Sequence, residues 1–522
     1  MKIYQKLAII LSLGLSLMGC GGVGTKVDPA SLPIAIDDTA TVTVNGAAIG
    51  ILVLDNDTPI GKLDVSSVEI ITPPLHGIAS VTNTGEINYK PDAHYHGSDT
   101  LEYTVKNLEG NFSNPATVTI TVSRLPFKIT VKTDNAGVSN NNEFTLPIVG
   151  SSSIPATSID CGSAGATITN DYTCIYPSAG TYTIGITGDI PHISFFTDGN
   201  DVKDNLKLLS IDQWGTGQWG SMEFAFNNCS NMTLNATDTP DLSAVTNMGY
   251  MFAGATLFDD DISSWDVSNV TDMSALFFKA SSFNQNIDNW NVTNVTNMHG
   301  MFNGSSSFNQ NIGSWDVSNI TDMSWMFNLA SSFNQDIGGW NVSKVTDMEG
   351  MFNTNHSFNQ NISSWNVGSV TNMSWMFRDA SMFNQDIGGW DVSNVTDMSS
   401  MFSVDTVTVF NQDIGNWNVG SVTNMNRMFN KATSFDQNIG GWDVSKVYDM
   451  QLMFRDAKLS TTNYDSLLIG WDKLPTLQKA VIFDAGNSQY SKLAEAARLG
   501  LETSTIPEWI IADGGCTDCP IK

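Results

Sequence analysis

Positive charge is scarce in this chain: 24 Lys and Arg stand against 53 Asp and Glu in 522 residues, a formal net charge of -29. No run of clustered Lys and Arg appears, and phosphate backbones are held by such clusters, so nucleic acid is excluded as a partner. Charged residues of both signs make up only 15 %, while Asn, Ser, Thr and Gly abound. That balance disfavours long solvated helices and favours tight turns and side-chain ladders. The six His are scattered, no Ser sits in a Gly-x-Ser-x-Gly elbow, and no phosphate loop occurs, so no catalytic constellation is found and the chain reads as non-enzymatic. Long apolar runs are missing too. The one candidate, Leu7 to Leu17, is shorter than the ~20 residues a bilayer span needs.

What is present is length, an apolar fraction of 41 % with 26 Phe and 14 Trp, and internal repetition. The chain is too long for one core of ~100 to 200 residues, and several domains are expected. At the N-terminus Lys2 and Lys6 precede the short apolar run, the pattern of an export signal. The run ends Leu17-Met18-Gly19-Cys20, which resembles the lipobox of bacterial lipoproteins. That resemblance implies acylation of Cys20, and two or three acyl chains hold a protein to a membrane stably where one does not. Gly-Gly-Val-Gly-Thr after Cys20 places no Asp beside the lipid. By the same resemblance the expected location is the outer membrane, displayed on the cell surface of a Gram-negative bacterium.

Cysteine usage fits an oxidising compartment. Cys161 and Cys174 lie close together in a β-patterned stretch and Cys516 and Cys519 form Cys-Thr-Asp-Cys, so two disulfides are expected. For the terminal pair a redox or metal motif competes, but it has no second ligand pair. Cys229 falls in register with buried small positions of the repeats and reads as an inert core thiol.

Residues 34 to 123 alternate apolar and polar positions in short runs, as in TATVTV, GEINYK, TLEYTV and ATVTITV, an antiparallel sandwich pattern. The series AIDDTATVTV, ILVLDNDTP, PPLHGIASV, GEINYKPDAHYHGSDTLEYTV and ATVTITV resembles the bacterial cadherin-like modules of secreted adhesins. Many members of that family bind calcium at module ends. Asp38, Asp55, Asp57 and Asp99 are the candidate ligands here, and calcium is the one cofactor the sequence points to. The alternative is that these acids cap turns. A weaker β pattern, FKITVKT to GTYTIGITG, follows from 124 to 200.

Between about 214 and 457 one unit recurs, clearest as FNQDIGGWDVSNVTDMSSMF, with Trp at 265, 290, 315, 340, 365, 390, 417 and 442. A period of 25 with one step of 27 signals a solenoid. The unit resembles the BspA-like leucine-rich repeats of bacterial surface lipoproteins. Read from its spacing alone, one copy holds a strand at Trp290 to Thr293 and a helical turn from Thr296 through Met298, Met301 and Phe302. The Trp column reads as core, and the Asn after each first Phe as a ladder. One phase varies without restraint: Ala275, Gly300, Trp325, Gly350, Trp375, Ser400, Arg427 and Leu452. Core positions rarely permit such range, so it is the candidate binding face, with Trp325, Trp375 and Arg427 its largest members and the two Trp ~10 Å apart.

The expected fold is therefore multidomain. A signal peptide (1–19) and lipidated tether (20–33) precede a cadherin-like β-sandwich (34–123) and a second β-rich module (124–200). A leucine-rich-repeat-like solenoid of short parallel strands and helical turns (201–457) and a small α/β C-terminal cap (458–522) follow. The expected function is adhesion or protein-protein interaction at the surface, with membrane contact through the lipid and an extracellular protein as partner. The alternative is binding of a glycan through the exposed Trp residues.

Overall fold

The computed structural model describes residues 32–149, 158–196, 203–405, 409–503 and 508–519. Cys20 and the export signal lie outside them. Among the described residues no helix is long and apolar enough to cross a membrane. The chain divides into two compact units, residues 1–123 and 124–522.

In the first unit, strands β1 (Asp38–Thr43), β2 (Ile49–Ile51), β3 (Leu63–Thr72), β4 (Gly77–Val81), β5 (Ile87–Pro91), β6 (Gly97–Asn107) and β7 (Ala116–Ser123) form two sheets. One has the order β1-β7-β6-β3, the other β2-β5-β4. Alternation decides which side chains go in: Leu101, Tyr103 and Val105 of β6 and Val118, Ile120 and Val122 of β7 join Ile87 and Tyr89 in one core. β1 runs parallel to β7, Asp38 opposite Val118, whereas the other pairings are antiparallel.

The second unit opens with a five-stranded sheet in which Phe127–Lys132 lies between Thr181–Ile186 and Leu208–Gln213. Leu208–Gln213 also pairs with Thr233–Leu234 of the first repeat, so this β module and the repeats share a sheet and one continuous core. Cys161 and Cys174 are disulfide-bonded across it, as are Cys516 and Cys519 near the C-terminus. Cys229 is a buried free thiol. Lys207 and Asp204 are buried together at the start of the repeats. The Lys207 ammonium donates to the carbonyls of Ser139, Asn140 and Glu143, which ties that loop down.

The expected leucine-rich-repeat solenoid is not what the repeats form. Between Leu234 and the helix at Thr461 the described residues contain no strand and no helix; the copies are successive turns. Among the described residues the strand-like pairing between copies is a column of single-residue parallel bridges through Asn247, Asp272, Asn297, Asp322, Asp347, Asn372, Asp397, Asn424 and Asp449. No strand occupies 290–293. The helical turn fails for a definable reason. Its cap is present, since Asn297 Oδ1 accepts from the His299 N–H at 2.9 Å. Three residues after each such cap, however, the backbone turns left-handed: φ is +58° at Gly300, Trp325 and their equivalents fall at +49° to +63°. A left-handed residue ends a helix. The N–H groups of Met298, Gly300, Phe302 and Gly304 then donate to carbonyls of the next copy, Asp322, Ser324, Met326 and Asn328. Met301, Asn303 and Ser305 donate three residues back within their own copy.

Side chains complete the packing. The eight Trp are at most 5 % exposed. The indole N–H of each from Trp290 onward donates to an Ile carbonyl of the copy before, as Trp340 does to Ile312 at 3.1 Å. Phe277, Phe302, Phe327 and Phe352 stack at 5.7 Å intervals. The Asn column is a ladder: the N–H of Asn309, Asn334, Asn359, Asn384 and Asn411 each donates to the side chain one copy earlier. Asp436 closes it by accepting from Ser460, the N-cap of α1 (Thr461–Trp471), and from Asn463. With α2 (Glu495–Thr503) and the paired strands Ile482–Asp484 and Ile510–Ala512, α1 covers the last copy, and the Phe454 N–H donates to Asp484.

Candidate functional site

The variable phase of the repeats coincides with the left-handed column. Phe224, Tyr250, Ala275, Gly300, Trp325, Gly350, Trp375, Ser400, Arg427 and Leu452 all have positive φ. From Phe224 to Arg427 each donates its N–H to a carbonyl of the following copy. The backbone here is fully engaged, so what differs from copy to copy is the side chain alone.

Size along the column shapes the surface. Trp325 and Trp375 are half-buried and Arg427 is exposed. Gly350 lies between the two Trp, where a Cβ would sit 2.6 Å from the Trp325 ring. The glycine therefore lets Trp325 lean across, and the two rings meet with centroids 6.4 Å apart at 50°, not the ~10 Å of two rungs. Ser400 is the next small member, and the space above it is a cleft of about 290 Å³ between Trp375 and Arg427. Arg378, Lys431 and Arg455 also line it. The Arg378 guanidinium lies 4.8 Å from the Trp375 ring centre, a cation–π contact. Arg378 pairs with Asp405 at 2.9 Å and with Asp379 at 3.6 Å, Lys431 with Asp405 at 3.9 Å, and Arg455 with Asp456 at 3.8 Å. For Arg427 no ion pair occurs among the described residues.

Of these, the sequence reading named Trp325, Trp375 and Arg427 and missed Arg378, Lys431 and Arg455. The signal was there. Arg378 and Arg455 replace the Asn of copies such as Asn303, Asn328 and Asn353, and Lys431 sits in a second left-handed column, all within four successive copies. Also missed was an aromatic group at the other end of the column. Phe196 meets Phe224 at 4.5 Å and Phe224 stacks on Tyr250 at 4.9 Å, beside a groove of about 400 Å³.

The four acids named as calcium ligands do not converge. Asp38 and Asp57 do meet, both accepting from the Tyr103 hydroxyl at 3.1 to 3.2 Å. Burial pushes the Asp38 carboxyl up to about 6, against the pull of the Tyr103 hydrogen bond, and raises Asp57 likewise. Asp55 is exposed. Asp99 is buried elsewhere, accepting from the N–H groups of Leu75, His76 and Thr100 and from the Tyr89 hydroxyl. It is a backbone clamp, because four donors leave its carboxylate no capacity for a cation.

Residues 220–337, 307–408 and 404–488 match the family described as Mycoplasma protein of unknown function, DUF285, and residues 30–121 match the bacterial Ig domain. The DUF285 matches run without a gap from 220 to 488, more than half of the 522 residues, and the chain belongs to that family. The cadherin-like module is thus a bacterial Ig-like domain, and the repeats are of the BspA-like kind without leucine-rich-repeat architecture. This combination points to a surface protein and is consistent with adhesion-type roles. No curated protein matches the chain.

Proposed function

We propose that the chain is a non-enzymatic, surface-displayed lipoprotein, anchored through Cys20 in an outer membrane, whose repeats present the left-handed column as a recognition face for an extracellular protein or glycan. One observation carries this reading. In an array whose core phases repeat almost unchanged, the left-handed phase that ranges from Gly to Trp to Arg has its N–H groups engaged from Phe224 to Arg427 and its large aromatic and Arg side chains at the surface, beside the second left-handed column that runs from Asn228 to Asp456. Large aromatic and Arg side chains held on rigid backbone are the usual anchors of binding surfaces. The Ig-like domain serves as the stalk.

The test uses the full-length protein in detergent against a panel of matrix proteins and glycans. A bulky maleimide is attached to Arg427→Cys, or to the exposed Asn291→Cys on another phase; the buried Cys229 stays unreactive. Binding blocked at 427 and kept at 291 supports the reading. Binding blocked only at 291, or at neither, contradicts it.

A further inference from the structure

We propose that the cleft over Ser400 binds an acidic saccharide, a pyranose unit carrying a carboxylate or sulfate, with the anionic group on Arg427. The inference rests on the reading of the left-handed column as a recognition face and names its ligand class.

Charge comes first. On a chain with a net charge of -29, four cations, Arg378, Arg427, Lys431 and Arg455, line one cleft. The carboxylates of Asp379, Asp405 and Asp456 answer three of them. Arg427 is left over, so the cleft is matched to a single negative charge. The competing pairs of Lys431 and Arg455 are long, at 3.9 and 3.8 Å, and their partners Asp405 and Asp456 are 60 % and 61 % exposed, so they hold weakly and can reorient toward a ligand. Arg offers a planar fork that fits both oxygens of a carboxylate or sulfate.

Shape and the remaining polar groups select the rest of the ligand. Trp375 and Arg427 stand two copies apart, ~10 Å at strand spacing, and the small Ser400 between them opens a gap deep enough for one ring. Trp375, with Arg378 stacked on its ring, forms one wall, and Asn430, whose amide also donates to the buried Ser403 hydroxyl at 3.3 Å, offers an amide suited to sugar hydroxyls. An extended acidic peptide fits less well, because peptides commonly add to free backbone edges. Here the N–H groups of Ser400, Phe402 and Val404 already donate to Asn426, Met428 and Asn430, and those of Arg427 and Lys431 to Gln451 and Arg455.

The experiment titrates the full-length protein in detergent with a uronate-containing or sulfated hexasaccharide, a neutral glucan hexasaccharide and hexaglutamate. Variants are Arg427→Ala and Ser400→Leu; Leu already occupies the same backbone position at 452, so the second fills the cleft on a tolerated conformation. The acidic saccharide is expected to bind at least tenfold more tightly than the other two, with affinity falling as salt rises. Each variant should lose at least tenfold with its melting temperature unchanged. Equal binding of the neutral glucan, tighter binding of hexaglutamate, undiminished binding by both variants, or no binding of the acidic saccharide overturns the proposal. If it fails in any of these ways while the maleimide at 427 still blocks a partner, the recognition face stands and only the ligand class falls.

Discussion

Trp325 and Trp375 occupy a backbone geometry that costs a residue with a Cβ about 1–2 kcal/mol and glycine almost nothing. A fold selected for stability alone has no use for them there. Trp325→Gly and Trp375→Gly are therefore expected to change stability by no more than about 1 kcal/mol, since relief of the left-handed strain offsets the lost ring contacts and the added chain entropy. Trp340→Ala, which empties a buried slot and leaves the Ile312 carbonyl with only the Trp315 N–H as donor, should cost about 3–5 kcal/mol. Urea melts of the three variants check this; equal losses would place Trp325 and Trp375 in the core. At Asp38 the prediction concerns pH. Its folded carboxyl is raised to about 6 against an ordinary value near 4, so the folded state holds the extra proton between those limits. Stability of the Ig-like unit should accordingly fall as pH rises from about 4 to 6, and Asp38→Asn should flatten that slope. Because only Asp38 and Asp57 of the four proposed ligands meet, millimolar calcium is expected to leave the slope in place; calcium that abolishes it would restore the metal reading.

Among the elements, the repeat unit shows what was legible and what was not. The Trp, Phe and Met phases could be read because each recurs at 25 residues beside apolar neighbours, and the Asn ladder because Asn follows Phe in every clear copy. The strand and the helical turn could not be judged the same way. Met298, Met301 and Phe302 have the spacing of a helical turn whether the third residue after the Asx cap is right-handed or left-handed. The only residue types that betray the left-handed position are Gly300 and Gly350, and the Trp, Arg and Leu in other copies mask them. Likewise the single bridge at each Asx carries no alternating pattern. Strands β6 and β7 were legible because their alternation maps directly onto one core face, whereas β3, whose burial does not alternate, was not among the segments the sequence marked. The ladder itself is testable. Asn359→Ala removes the acceptor of the Asn384 N–H and of the Gln385 amide, and should cost about 1–3 kcal/mol. Asn359→Asp keeps both acceptors and should recover most of that in thermal melts; if Ala and Asp are equally harmful, the ladder bonds contribute little.

Across the whole chain, the sequence pointed to two β modules before the repeats and a small α/β cap after them, and the structure places two hydrophobic cores, one within residues 32–123 and one from Phe127 to Ile511. Two separate cores predict two melting transitions in calorimetry, the smaller belonging to the Ig-like unit. The basic cleft was harder to see, since its cations lie on three phases of three copies and meet only when the copies are in register. That register is what the repeats provide: an unchanging frame on which the left-handed phase holding Trp325, Trp375 and Arg427 is free to vary. The claim that this phase is the recognition face is tested most directly with the Trp325→Gly, Trp375→Gly double variant of the full-length protein, measured in parallel for partner binding and for thermal stability. The account predicts binding reduced at least tenfold, about 1.4 kcal/mol, with the melting temperature essentially unmoved. Binding retained, or lost only in step with unfolding, would contradict it.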